Sequence, residues 1–161
     1  MADRAETELA WAGPDMGLHE ECGVFGVYDP AGGCAQTTYY GLYALQHRGQ
    51  EACGIATIND REQSFYKDVG LVSEVFDKQT LQRLNGTMAV GHVRYATTGA
   101  RERENAQPLT IKYVKGTLAV VHNGNLVGVD QLRQKFEYQG AIFHTTSDSE
   151  LIAYAIAQAR L

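Results

Sequence analysis

From Cys22 to Tyr28 the chain reads Cys-Gly-Val-Phe-Gly-Val-Tyr, a short apolar run with β-branched and aromatic members. This pattern predicts a buried strand, ended by the turn chemistry of Asp29-Pro30. Thr37 to Gln46 carries Tyr39, Leu42, Tyr43 and Leu45 at helical spacing, with Gly49 placed to stop it. Cys53 to Ile58 predicts a second strand, Asn59-Asp60 a tight turn, and Ser64 to Lys67 the returning arm of a hairpin. Asp77 to Leu84 predicts a helix capped by Asp77 and stopped by Asn85-Gly86, and Met88 to Ala96 a strand. Thr117 to Val121 is apolar and β-rich and runs into His122-Asn123-Gly124-Asn125, whose Asn-Gly pair is a type I′ hairpin signal. Val129 to Tyr138 sets Leu132 and Phe136 four apart among charges, an amphipathic helix. A last helix opens at Ser147, where Ser147 and Glu150 match a capping box, and still runs at Leu161.

Strands and helices are mixed without regular alternation, and hairpin signals are present. The class is therefore α+β with largely antiparallel sheets. The unterminated last helix reads as part of a longer polypeptide, and residues 1–21 as a polar leader ahead of a domain covering 22–161. No internal repeat, low-complexity tract or interdomain linker interrupts that domain.

A chain of 161 residues can bury roughly 70% of its unfolded surface, enough for one core without metal or disulfide. The 44% hydrophobic and 20% charged composition excludes a disordered chain. A net charge of -5, with basic residues scattered among acidic ones, argues against nucleic acid. The leader lacks the apolar stretch of a secretory signal, and no run reaches the length of a membrane span. Cys22, Cys34 and Cys53 match no CxxC motif, so a reducing, cytoplasmic compartment is the simplest reading.

Cys22 taken alone reads as a core residue opening a strand. Cleavage of the Glu21–Cys22 bond changes that. An α-amino group has a reference pKa of roughly 7.7–8.0 and a thiol roughly 8.5, so an N-terminal cysteine carries its own base near neutrality. Arg48, in Gln46-His47-Arg48-Gly49-Gln50, and Arg94, in Gly91-His92-Val93-Arg94-Tyr95-Ala96-Thr97, are each either a surface cation or a two-pronged clamp for a substrate carboxylate. Spacing does not choose between them. His47, His92 and His122 share no ligand spacing and read as structural rather than metal-binding. Asn123-Gly124 could also aim a side-chain amide and a backbone N–H at an oxyanion. Asp148 either interacts with a helix dipole or binds an ammonium group.

Five segments then stand in order: Glu-Glu-Cys-Gly-Val-Phe-Gly, Leu-Gln-His-Arg-Gly-Gln-Glu, Gly-His-Val-Arg-Tyr-Ala-Thr, His-Asn-Gly-Asn-Leu and Thr-Thr-Ser-Asp-Ser-Glu. Together they resemble the class II glutamine amidotransferases. Within that class the pattern is similar to the amidophosphoribosyltransferases. The hexosamine-forming relatives typically have Tyr-Arg-Gly-Tyr at His47-Arg48-Gly49-Gln50 and a histidine at Thr98, and asparagine synthetases usually begin at the cysteine directly after methionine.

The resemblance implies the four-layer αββα sandwich of the N-terminal nucleophile hydrolases, with further strands supplied by residues beyond Leu161. On its own the chain is then expected to be poorly stable and weakly active. The resemblance also implies that Cys22 attacks the glutamine amide and that Asn123 and Gly124 form the oxyanion hole. By the same resemblance Arg94 would hold the substrate carboxylate and Asp148 its ammonium, while Arg48 and Thr97 would line the pocket or its closing loop. Ammonia would pass to a missing phosphoribosyl domain that uses phosphoribosyl pyrophosphate and magnesium in the first step of purine synthesis. Leader-bearing members often hold a [4Fe-4S] cluster on cysteines that also lie downstream, so no cofactor is expected in this chain, and the whole protein is expected to be a homo-oligomer. Against this stand another class II amidotransferase with a different acceptor, a non-catalytic binding module, and a Cys22 that stays internal behind a permanent plug.

Overall fold

The computed structural model describes residues 22–60, 62–95 and 103–159. Its larger sheet contains β1 (Gly23–Tyr28), β2 (Ala52–Asn59), β3 (Glu62–Val69) and β4 (Met88–Arg94), all antiparallel, in the order β1-β4-β2-β3. The predicted hairpin is present and longer than its apolar centre, because Asp60 takes the left-handed conformation (φ 52°) that lets Asn59 face Glu62.

One face of this sheet is covered by α1 (Cys34–Ala44), α2 (Val72–Val75) and α3 (Lys78–Arg83). Leu42, Cys53, Ile55, Val72, Phe76, Leu84 and Val93 form the core between them. Fully burying Leu42 or Ile55 contributes on the order of 1.5–3 kcal/mol each. The helix lies close because Gly91 is bare, since a Cβ there would stand 2.6 Å from Thr38 Cγ2. Burial pushes the Cys53 thiol up to about 12, with Asp68 and Glu74 adding to it, so this cysteine stays a protonated core residue.

The smaller sheet is the hairpin of β5 (Leu109–Tyr113) and β6 (Gly116–Val120). Against it packs α5 (Ser149–Gln158), and α4 (Val129–Tyr138) packs on α5, where Phe136 stacks on Tyr154. Helices, sheet, sheet and helices thus follow one another, the α+β class read from the sequence in the layered form that the resemblance implies.

The structure departs from these expectations in several places. The first helix starts at Cys34 rather than Thr37, because Gly33 in the left-handed region (φ 78°) turns the chain directly into it. Neither β5 nor α2 was foreseen. The first follows a buried proline, and α2 is one turn whose Val72 N–H is satisfied from a distance by Gln46 Oε1 at 2.7 Å. Asn123-Gly124 is not a type I′ hairpin turn, since Asn123 has a negative φ, Gly124 lies at φ 157°, and the chain proceeds to a helix. No capping box forms at Ser147. Ser147 Oγ accepts from Ser149 N–H (3.2 Å), while Glu150 turns back to Thr145. The last helix ends at Gln158, and Ala159 leaves helical geometry at ψ 125°. Asp77 does cap α3, accepting from Thr80 N–H at 2.7 Å, which holds its carboxyl below the usual range.

Candidate active site

The register of β1 on β4 sets Gly23 opposite Val93, so residue 22 emerges beside the end of β4. There Tyr95 N–H donates to Cys22 Sγ (3.3 Å) and the thiol faces Tyr95 C=O (3.6 Å), which fixes the sulfur between two backbone groups. A 3₁₀ turn at Gln46–Arg48 delivers Arg48, whose Nε donates to Cys22 C=O at 3.3 Å. Gly49 lets that turn lie on β4, because a Cβ there would be 2.6 Å from the Val93 carbonyl carbon. Arg94 pairs with Glu51 (3.1 Å), and Glu51 N–H donates to Arg94 C=O (3.1 Å). The pair is mostly buried, and one guanidinium nitrogen on Glu51 leaves the other donors of Arg94 for a second carboxylate.

A second polar group sits on the smaller sheet and α5. Gln107 Oε1 accepts from His122 N–H (2.6 Å), and its Nε2 donates to His122 C=O (3.2 Å) and Ser149 Oγ (3.2 Å). His122 Nδ1 also meets Ser149 Oγ at 3.2 Å. Asp148 stands at the start of α5, where its Oδ2 accepts from Leu126 N–H (2.7 Å), so it is tied to the loop carrying Asn123 and Gly124. Buried Glu150 accepts from His144 N–H (3.0 Å), Thr145 N–H (2.8 Å) and Thr145 Oγ1 (2.7 Å), which shapes the loop before Asp148.

The two groups meet across the sheets. Gly54 and His92 are partners in the β2–β4 ladder, and a Cβ on Gly54 would fall 2.3 Å from Gln107 O. Lys67 of β3 reaches across as well, donating to the carbonyls of Glu104 (3.3 Å) and Ala106. Burial and nearby Arg103 lower its pKa, with Glu104 and Glu150 opposing. His92 is fully buried, and among the described residues neither ring nitrogen has a partner within hydrogen-bonding distance. Burial pushes its pKa down to about 4; the nearby His122 backbone opposes the shift, while Arg94 and the His122 ring add to it.

The folded state therefore takes up this proton only near pH 4, whereas the unfolded chain takes it up near 6.5. The stability contribution is complete above 6.5 and is lost as pH falls toward 4, at about 1.36 kcal/mol per pH unit. His92→Phe has no proton to bind. Urea unfolding at stepped pH should show its stability gaining on the wild type by roughly 3 kcal/mol between those limits. Parallel acid limbs would show that His92 is not held neutral.

Of the residues singled out from sequence, Cys22, Arg48 and Arg94 come together at the end of β4, while Asn123, Gly124 and Asp148 belong to the second group. Thr97 and the leader 1–21 lie outside the described residues. Glu51, Gln107 and the Tyr95 backbone were given no role from sequence. Glu51 ends one of the quoted motifs, but a backbone N–H and a lone glutamine carry no sequence signal of this use. Among the described residues no cluster of three or more His, Cys, Asp or Glu is placed to hold a metal, and no helix is long and apolar enough to cross a membrane.

The family described as a glutamine amidotransferase domain matches residues 76–159. The chain is 52% identical over 157 residues to an amidophosphoribosyltransferase of Synechocystis, covering 94% of this chain and 32% of that protein. Its identity to an amidophosphoribosyltransferase of Bacillus subtilis is 49% over 141 residues, 87% of this chain and 29% of the relative. Among solved structures, one described as the allosteric regulatory enzyme of purine biosynthesis superposes with a TM-score of 0.79 at 46% identity, over 84% of this chain and 29% of that one. The B. subtilis glutamine phosphoribosylpyrophosphate amidotransferase, complexed with ADP and GMP, superposes with a TM-score of 0.72 at 44% identity, over 86% and 29%. The chain thus spans about 30% of the length of these relatives.

Proposed function

Because this chain belongs to the glutamine amidotransferase domain family, we propose that it is the glutamine-hydrolysing part of an amidophosphoribosyltransferase, with Cys22 as nucleophile once residues 1–21 are removed. The observation that carries this reading is the seat of Cys22. Its sulfur is fixed by the Tyr95 backbone, its carbonyl by Arg48, and the carboxylate clamp Arg94 ends the paired strand.

In this mechanism the free α-amine of Cys22 takes the thiol proton as sulfur attacks the glutamine amide carbon. The Asn123 side chain and Gly124 N–H hold the oxyanion. Collapse breaks the C–N bond, the ammonium donates its proton to the leaving nitrogen, and ammonia departs from a thioester. Water, deprotonated by the same amine, then attacks the thioester, releasing glutamate and regenerating the thiol. The spare donors of Arg94 bind the substrate carboxylate, and the remaining acceptor capacity of Asp148 binds its ammonium. Arg48 and Thr97 line the pocket.

Ammonia is then consumed at phosphoribosyl pyrophosphate by a domain outside this chain, in a cytoplasmic homo-oligomer. Magnesium, and a [4Fe-4S] cluster if one is held, belong to that remainder. Among the described residues Cys34 and Cys53 are buried and belong to no group of three or more possible ligands, so they do not fit the iron–sulfur cluster. No step above uses them.

Intact mass of the active protein tests the reading: a chain starting at Cys22, gaining one adduct from a glutamine-like electrophile, is expected. Active protein still joined to Glu21 would overturn it. Asn123→Ala should lower kcat for glutamine hydrolysis roughly 10²- to 10³-fold with little change in KM, measured by glutamate release. A change confined to KM would remove Asn123 from the oxyanion hole.

A further inference from the structure

We propose that Gln107 is the positioning residue that fixes the two halves of the glutamine subsite relative to each other, an inference that rests on the glutaminase reading. Its side-chain amide makes three hydrogen bonds in two directions. Oε1 and Nε2 grip the N–H and C=O of His122 (2.6 and 3.2 Å), the residue immediately before Asn123 and Gly124. The same Nε2 donates to Ser149 Oγ (3.2 Å), the residue immediately after Asp148. The orientation of the amide is unambiguous, because a backbone N–H can face only its oxygen and a carbonyl only its nitrogen.

One buried group, 6% exposed, therefore ties the oxyanion donors to the ammonium-binding carboxylate. Gln107 is itself held from outside the pair. Its neighbour Ala106 accepts from Lys67 of β3, and its own backbone lies against Gly54 of β2. The tie thus refers both halves of the subsite to the sheet that carries Cys22. Catalysis needs this because the attacking sulfur, the oxyanion donors and the substrate's α-groups sit on different elements, and a displacement of about 1 Å can cost on the order of 10²-fold in rate.

The test compares two reagents on Cys22 of the whole processed protein. Iodoacetamide needs only the thiol, whereas a glutamine-like electrophile also needs the subsite. Gln107→Met keeps the length and loses all three bonds. It should slow labelling by the glutamine-like reagent roughly 10- to 100-fold and leave iodoacetamide labelling within twofold. Equal labelling by both reagents, or equal slowing of both, would overturn the proposal. Gln107→Glu sets a carboxylate oxygen against the His122 carbonyl. Its hydrolysis rate relative to wild type should recover as pH falls and a protonated carboxyl regains a donor, and a flat ratio would assign Gln107 to mere filling. If wild-type Cys22 ignores the glutamine-like reagent, the glutaminase reading fails by itself. The tie is then judged by hydrogen exchange at the His122 amide, expected to be at least about tenfold faster in Gln107→Met; unchanged protection would overturn it.

Discussion

Cys22→Ser, with the amine of residue 22 free, is expected to hydrolyse glutamine at least about 10³-fold more slowly than the wild type. Every other element of the site survives this change. Serine accepts from Tyr95 N–H as cysteine does, and Arg48 continues to hold the residue 22 carbonyl. What is lost is the sulfur, a more polarisable nucleophile and a more acidic partner for the neighbouring amine than a hydroxyl. The hydroxyl is a far weaker acid, so the same amine removes its proton much less readily. A second variant, blocked from cleavage between Glu21 and Cys22, keeps the sulfur and loses the base, and is expected to be as inactive. Glutamate release and covalent labelling measure both. A serine enzyme within tenfold of wild type, or an active uncut one, would remove Cys22 from the role given to it.

Gly54→Ala should damage both stability and activity although it adds a single methyl group. Its Cβ would stand 2.3 Å from Gln107 O, 2.7 Å from Lys67 Cβ and 2.9 Å from Pro108 Cδ. The nearest atom is backbone, and the residue that owns it is bonded to His122 and Ser149, so it cannot step aside alone. Relief requires the two sheets to part. Overpacking of this kind costs about 1–3 kcal/mol, a fall of roughly 2–12 °C in Tm for a domain of this size. Parting the sheets also moves Gln107 and the 122–124 segment away from Cys22, so glutamine hydrolysis should fall on the order of 10²-fold. Gly26→Ala is the control. Its added Cβ would find nothing nearer than 3.9 Å, and stability should stay within about 0.5 kcal/mol. Equal thermal shifts in the two variants would show that sheet spacing is not what Gly54 protects.

The order of apolar runs and turn signals pointed to strands at 22–28, 53–58 and 88–96, found at 23–28, 52–59 and 88–94, and to the hairpin at Asp60, the Asp77 cap and the α+β class, because each is set by local periodicity or by one residue's backbone preference. The linear motifs likewise singled out Cys22, Arg48, Arg94, Asn123, Gly124 and Asp148. Tertiary structure alone decided what neighbours them. α2 is capped by Gln46 from across the fold, and Gln107 grips the backbone of His122 just before an Asn-Gly pair that makes no hairpin turn. Glu150 serves the loop at 144–145 instead of its own helix start. The buried neutrality of His92, the Glu51 partner of Arg94 and the tie made by Gln107 depend on contacts between elements far apart in the chain. Local sequence fixes which conformations a segment prefers; whether a polar group finds water, a charge or a distant backbone is settled only when the sheets close on each other.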